Sequence, residues 1–135
     1  LTYNGHPVCL AAAIANIGVI GEQELVRQAK DKGTVLLEML TELQSSHESV
    51  GEVRSIGLFG AIELVQDRKT KIPLSPYGGK SPEMSKLKKD LLDQGLFIAI
   101  HDNVLLIIPP LIITLQELQT GFSIIDRCLF QLEKK

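Results

Sequence analysis

The run from Pro7 to Ile20 constrains this chain most. Ten residues between Val8 and Ile20 are Val, Leu, Ala or Ile, and Cys9 adds a further apolar side chain. A helix that is apolar nearly all round has no face to offer water and must be covered on several sides. Ala11-Ala12-Ala13 and Ala15 leave room for another backbone to come close. With 135 residues the chain can build one domain with a real core, but it would struggle to enclose such a helix by itself. The pattern therefore predicts a helix over Pro7–Ile20 that packs on something outside the chain: a larger domain, a second subunit, or both. Pro7 suits the first helical position, where its missing N–H would be unpaired anyway, and Gly5 or His6 is the expected cap.

Gly21 is expected to break this helix. A second helix is then predicted over Glu22–Gln44, with Leu25, Ala29, Gly33, Leu36, Leu40 and Leu43 at spacings of three and four and Val26 and Leu37 widening the stripe. Glu22 and Glu24 would sit in its first turn, where the helix dipole favours anions. Gly33, unfavourable in a helix interior, would mark a close contact or a bend. Beyond the polar connector 45–49 the period changes, and two strands are expected at about 50–55 and 58–65, with Gly57 at a bend or bulge. Leu58, Gly60, Ile62 and Leu64 should share one face; Phe59, Ala61, Glu63 and Val65 should share the other. Arg54 and Glu63 would form an internal ion pair or face solvent, with a substrate role for Arg54 as the sharper alternative.

Residues 66–80 read as a surface loop. Its Gly78-Gly79-Lys80-Ser81 lacks the upstream glycine of a phosphate-binding loop, since Leu74 stands there. Ser81-Pro82-Glu83 opens a third helix with a cap, a first-position proline and a first-turn acid. Met84, Leu87, Leu91 and Leu92 form its stripe, and Gly95 ends it. Leu96–Ile100 and Val104–Ile108 read as a hairpin joined by His101-Asp102-Asn103, and Pro109-Pro110 stops the pairing. Thr114 and Glu117 make a capping box for a last helix carrying Leu115, Leu118, Phe122, Ile125, Leu129 and Leu132, ending at Lys134-Lys135. The order α-α-β-β-α-β-β-α predicts an α+β fold, an antiparallel sheet with helices packed on one face behind a long apolar helix.

Composition narrows the function. A net charge of −2 gives no electrostatic case for nucleic acid or an anionic membrane. Aromatics are 4% and Trp is absent, which disfavours base-stacking platforms. No apolar run is long enough to span a bilayer; with no targeting segment to read, a cytoplasmic setting is the default expectation. Cys9 and Cys128, inside apolar patterns, are expected to be buried reduced thiols, with a disulfide left open by the sequence. His6, His47 and His101 are scattered and lack partners at metal-ligand spacing, so no metal site is expected.

Four stretches in order carry a resemblance. Thr2-Tyr3-Asn4-Gly5-His6-Pro7, Val50–Leu58 with Gly60–Leu64, Gln94-Gly95-Leu96, and Pro109–Thr114 are similar, in sequence and spacing, to the C-terminal small domain of class III aminotransferases. These are pyridoxal-phosphate enzymes of fold type I, and the ω-amino acid:pyruvate type is the nearest in character. The resemblance implies two units. Residues 1–21 would be an interdomain loop and apolar helix lying on a large domain or partner subunit, and 22–135 the small domain. It implies a homodimer that moves an amino group from an ω-amino acid or amine to a 2-oxo acid such as pyruvate.

The same resemblance assigns one cofactor-binding residue, Thr2, whose hydroxyl and neighbouring N–H groups would hold the pyridoxal 5'-phosphate phosphate in the partner subunit's site. It assigns no catalytic residue here. The Schiff-base lysine of the family lies upstream of the Thr-Tyr motif, and Lys30, Lys32, Lys69, Lys71, Lys80, Lys86, Lys88 and Lys89 all lie in polar surroundings. The chain alone is therefore expected to be inactive. Many members place a carboxylate-clamping arginine on the strand before the Pro-Pro pair. Leu106 occupies the matching position, and no Arg or Lys occurs between Lys89 and Arg127. That speaks against an ornithine- or 4-aminobutyrate-type site and for ω-amino acid:pyruvate, taurine:pyruvate or amine substrates. The residues that set reaction type lie outside the chain. The competing reading is a stand-alone, non-enzymatic α+β module for dimerisation or ligand binding.

Overall fold

The computed structural model describes residues 5–134. Its elements run α1 (Pro7–Glu22), α2 (Leu25–Ser46), β1 (Val50–Ile56), β2 (Phe59–Asp67), β3 (Ile72–Pro73), α3 (Pro82–Asp93), β4 (Ala99–His101), β5 (Val104–Ile107) and α4 (Leu115–Glu133). The predicted α+β architecture is present. All strand pairs are antiparallel, in the order β1-β2-β5-β4, with β3 paired to β2 beyond that path.

Local chemistry explains most element ends. Ser81 Oγ accepts the Met84 N–H at 3.0 Å. Thr114 and Glu117 close a reciprocal capping box, with the Glu117 N–H donating to Thr114 Oγ1 at 3.2 Å and the Thr114 N–H donating to Glu117 Oε2 at 2.8 Å. The α3 end is a glycine-terminated helix stop: Gly95 takes φ 84°, Gly95 N–H donates to Leu92 O and Leu96 N–H to Leu91 O, both at 2.9 Å. The β4–β5 turn puts Asp102 at φ 52°. Asn103 beside it is buried and donates from Nδ2 to Leu64 O at 2.8 Å, which ties the hairpin to β2.

The core lies between one sheet face and α2, α3 and α4. It is built from Leu36, Leu40 and Leu43 of α2, Val50, Ile62, Leu64, Leu105 and Ile107 of the sheet, Leu87 and Leu91 of α3, and Phe122, Ile125 and Leu129 of α4. A fully buried leucine is worth about 1.5–3 kcal/mol relative to an exposed one, so this face accounts for the fold's cohesion.

Several expectations shift. The first helix runs through Gly21 to Glu22, and the break falls at Gln23–Glu24, where Glu24 adopts a left-handed φ of 49°. Glu22 and Glu24 therefore lie outside the first turn of α2. The two helices bend by 55° at this point. Val26 and Leu37 do not widen the buried stripe of α2; they are 74% and 45% exposed. Gly57 does sit at the bend between the strands, at φ 52°, and the pairing shifts register separately between Val50 and Glu52 and between Val65 and Asp67. The stretch 66–80 is not wholly loop. β3 crosses it, and Leu74 and Ser75 are buried. Cys128 is buried as expected, but Cys9 is exposed, because nothing among the described residues covers α1. No single described helix is long and apolar enough to cross a membrane.

Candidate functional site

The sheet face away from the helices is open, and its chemistry is graded along the strands. Pairing aligns Glu52, Glu63, Val104 and His101 in one cross-strand row and Arg54, Ala61, Leu106 and Ala99 in the next. Beyond these lie the apolar side chains Ile56 (80% exposed) and Phe59 (50%) on the first hairpin, with Ile108 (59%) past the end of β5. These three, with Val26 and Leu111, line a cleft of about 490 Å³ that abuts the start of α2. The hairpin tip is fixed against α2 by two glycines: a Cβ on Gly33 would stand 2.5 Å from Gly57 Cα.

Arg54 is the guanidinium of this face. Its Nη1 lies 3.5 Å from Glu52 Oε1 and its Nη2 3.8 Å from Glu63 Oε2. The trio is solvent-facing, so the pairing is worth at most about 1 kcal/mol. It does commit the cation to two carboxylates on the same surface. The Leu106 position stands between Ala61 and Ala99 in the register. From β2 to β4 this row is thus uncharged, with no group there to clamp a carboxylate.

Thr2 lies outside the described residues. His6 stands at the α1 N-cap and makes no side-chain cap hydrogen bond. The described lysines are exposed, except Lys32, which is half-buried and donates to Gln28 Oε1 at 2.9 Å. None of them is enclosed by apolar side chains. No group of three or more potential metal ligands comes together among the described residues. Gly78-Gly79-Lys80-Ser81 is a surface turn, with Gly79 N–H spent on Pro76 O at 2.9 Å and Ser81 spent on the α3 cap.

One cluster escaped the sequence reading. The His47 side chain, 4% exposed, meets Glu133 Oε2 at 3.0 Å through Nδ1 and Asp126 Oδ1 at 2.9 Å through Nε2. Glu133 Oε1 also accepts from the Ser49 N–H at 2.8 Å and the Ser49 hydroxyl at 2.7 Å. Burial pulls the His47 pKa down, but the hydrogen bonds and charges of Glu133 and Asp126 outweigh it and raise the pKa above 6.5. Burial pushes Glu133 up, and the Ser49 hydrogen bonds and His47 more than reverse this. The partners lie 79 and 86 residues away in sequence, so no local signal could have paired them.

Known proteins resemble this arrangement over its whole length. A solved taurine:2-oxoglutarate aminotransferase from Bifidobacterium kashiwanohense, in complex with PLP and glutamate, superposes with a TM-score of 0.93 at 30% identity, over 100% of this chain and 30% of that one. An amine transaminase from an uncultivated Pseudomonas species matches with a TM-score of 0.88 at 31% identity, over 98% of this chain and 29% of that one. In sequence, an isoleucine 2-epimerase of Lentilactobacillus buchneri is 33% identical across 98% of this chain and 28% of its own length. A putrescine–pyruvate aminotransferase of Pseudomonas aeruginosa is 28% identical across 96% of this chain and 28% of its own. The chain thus spans under a third of the length of these relatives. The class-III aminotransferase family model matches residues 1–129, and the chain belongs to that family.

Proposed function

We propose that this chain is the C-terminal small domain of a homodimeric, pyridoxal 5'-phosphate-dependent class III aminotransferase. In this reading residues 1–21 lie on the large domain or partner subunit, and Thr2 contributes to holding the cofactor phosphate. When bound, the cofactor supplies an electron sink for the amino carbon. The present residues shape one wall of the substrate space. Amino donors are ω-amino acids or amines, and the acceptor is a 2-oxo acid such as pyruvate. The 135-residue chain alone is inactive, because no described lysine suits the cofactor.

The observation that carries the substrate class is the uncharged stretch Ala61, Leu106 and Ala99 of the open sheet face. With Leu106 between two alanines and Arg54 held by Glu52 and Glu63, this wall offers contact to an apolar or uncharged substrate portion. A second reading, inversion at the α-carbon, is favoured by the likeness to the isoleucine epimerase. The test is made on the full-length protein loaded with cofactor. Amino transfer to pyruvate from a diamine, taurine or a primary amine, with borohydride trapping the cofactor on a lysine before Leu1, supports the first reading. Inversion of a single L-amino acid with no acceptor consumed supports the second. Activity of the 135-residue chain alone would refute the claim that it is inactive.

A further inference from the structure

We propose that His47 is a protonation-controlled fastener: as imidazolium it locks the last turns of α4 to the α2–β1 junction, and as neutral imidazole it lets them go. The inference rests on the fold and is independent of the reaction assigned above.

The geometry demands a charged ring. Each ring nitrogen faces a carboxylate oxygen, at 2.9 Å and 3.0 Å. A neutral imidazole carries one N–H. It would satisfy one carboxylate and turn a lone pair on the other. Imidazolium donates to both, in hydrogen bonds strengthened by charge on each side. Glu133 is held as an acceptor independently by the N–H and hydroxyl of Ser49. His47 also stands at the C-cap of α2, where the helix dipole favours a cation.

Among the described residues, charged groups approach the ring from α4 and from the β2–β3 connection. From α4 it faces Asp126 and Glu133. From the β2–β3 connection comes Arg68, which donates to the carbonyls of His47, Gln44 and Val50. Arg68 opposes a second cation, and two carboxylates outnumber it. Glu48, next in the chain, is exposed, and Glu83 of α3 lines the same cleft as Ser49 and Glu133. The folded-state pKa lies above the ordinary 6.5. The fastener is therefore complete below the unfolded-state value and is lost as pH rises through the folded-state one.

The test is hydrogen–deuterium exchange of the full-length protein, followed by mass spectrometry across pH 6 to 9 and corrected for intrinsic exchange. Peptides covering 126–134 are compared with peptides from the middle of α2. Protection of the α4 end should fall by about tenfold for each unit by which folding raises the His47 pKa, while the α2 reference stays level. In Asp126→Asn the same fall should occur at lower pH. In His47→Gln the α4 end should be weakly protected throughout, with no transition. A pH-independent α4 end in the wild type, or a transition that survives in His47→Gln, overturns the proposal. Should His47→Gln fail to fold, Asp126→Asn decides alone, and an unmoved midpoint overturns it.

Discussion

Gly33 sits where α2 and the first hairpin come closest. A Cβ there would meet Gly57 Cα at 2.5 Å and its carbonyl atoms at 2.7 Å, and backbone cannot rotate away as a side chain can. Two effects oppose each other in Gly33→Ala. Helix propensity favours Ala by about 1 kcal/mol, and forcing a methyl into a filled contact costs about 1–3 kcal/mol. With backbone rather than a side chain in the way the steric term wins, so the substitution should lower stability by up to about 2 kcal/mol, read as a lower urea midpoint with an unchanged slope. Gly18→Ala in α1 is the control. A Cβ there meets nothing within 4 Å among the described residues, so the isolated chain should gain up to about 1 kcal/mol. A stabilised Gly33→Ala would mean that the hairpin yields. The sequence suggested that Gly33 marks a close contact or a bend, but not its partner 24 residues on. Ser81 and Thr114 were legible as caps because donor and acceptor lie within one turn. His47 was not, since its carboxylates arrive on the far end of α4.

At the scale of elements, periodicity was a sound guide to type and a poor one to ends. The stripe of α2, the face assignment of β2 and the hairpin β4–β5 could all be read from spacing. The break between α1 and α2 could not. Gly21 has the freedom to stop a helix, yet the backbone turns at Glu24, at φ 49°. β3 was missed because two residues, one of them proline, leave no alternation to detect. A left-handed non-glycine residue costs about 1–2 kcal/mol. The Glu24–Arg27 ion pair is exposed and returns at most about 1 kcal/mol. Glu24→Gly should therefore be neutral to stabilising by about 1 kcal/mol, while Glu24→Val should lower the thermal midpoint. A destabilised Glu24→Gly would show that the Arg27 contact matters more than the backbone.

The whole molecule presents too much surface for its mass. Its accessible area is 9093 Å², whereas a folded monomer of 14.8 kDa is expected to expose about 7,000 Å². The excess of about 2,100 Å² exceeds the roughly 800 Å² that one partner contributes to a standard interface. It is concentrated in apolar places. Val8, Ile14 and Ile17 of α1 are 68–71% exposed, and Ile56, Phe59 and Ile108 crown the open sheet face. This is the consequence the apolar run announced in the sequence, since a helix without a polar face cannot be finished by the chain that carries it. The isolated chain should therefore self-associate with rising concentration in sedimentation velocity and bind an apolar dye. Replacing Ile14 with Glu and Ile17 with Lys should suppress both while leaving α2 to α4 folded, because neither residue touches the core. If, as proposed, α1 lies on a large domain or partner subunit, the same pair should lower the thermal midpoint of the full-length protein. An isolated chain that stays monomeric and dye-free would mean that α1 folds back onto the sheet, and the exposed-helix account of this domain would fail.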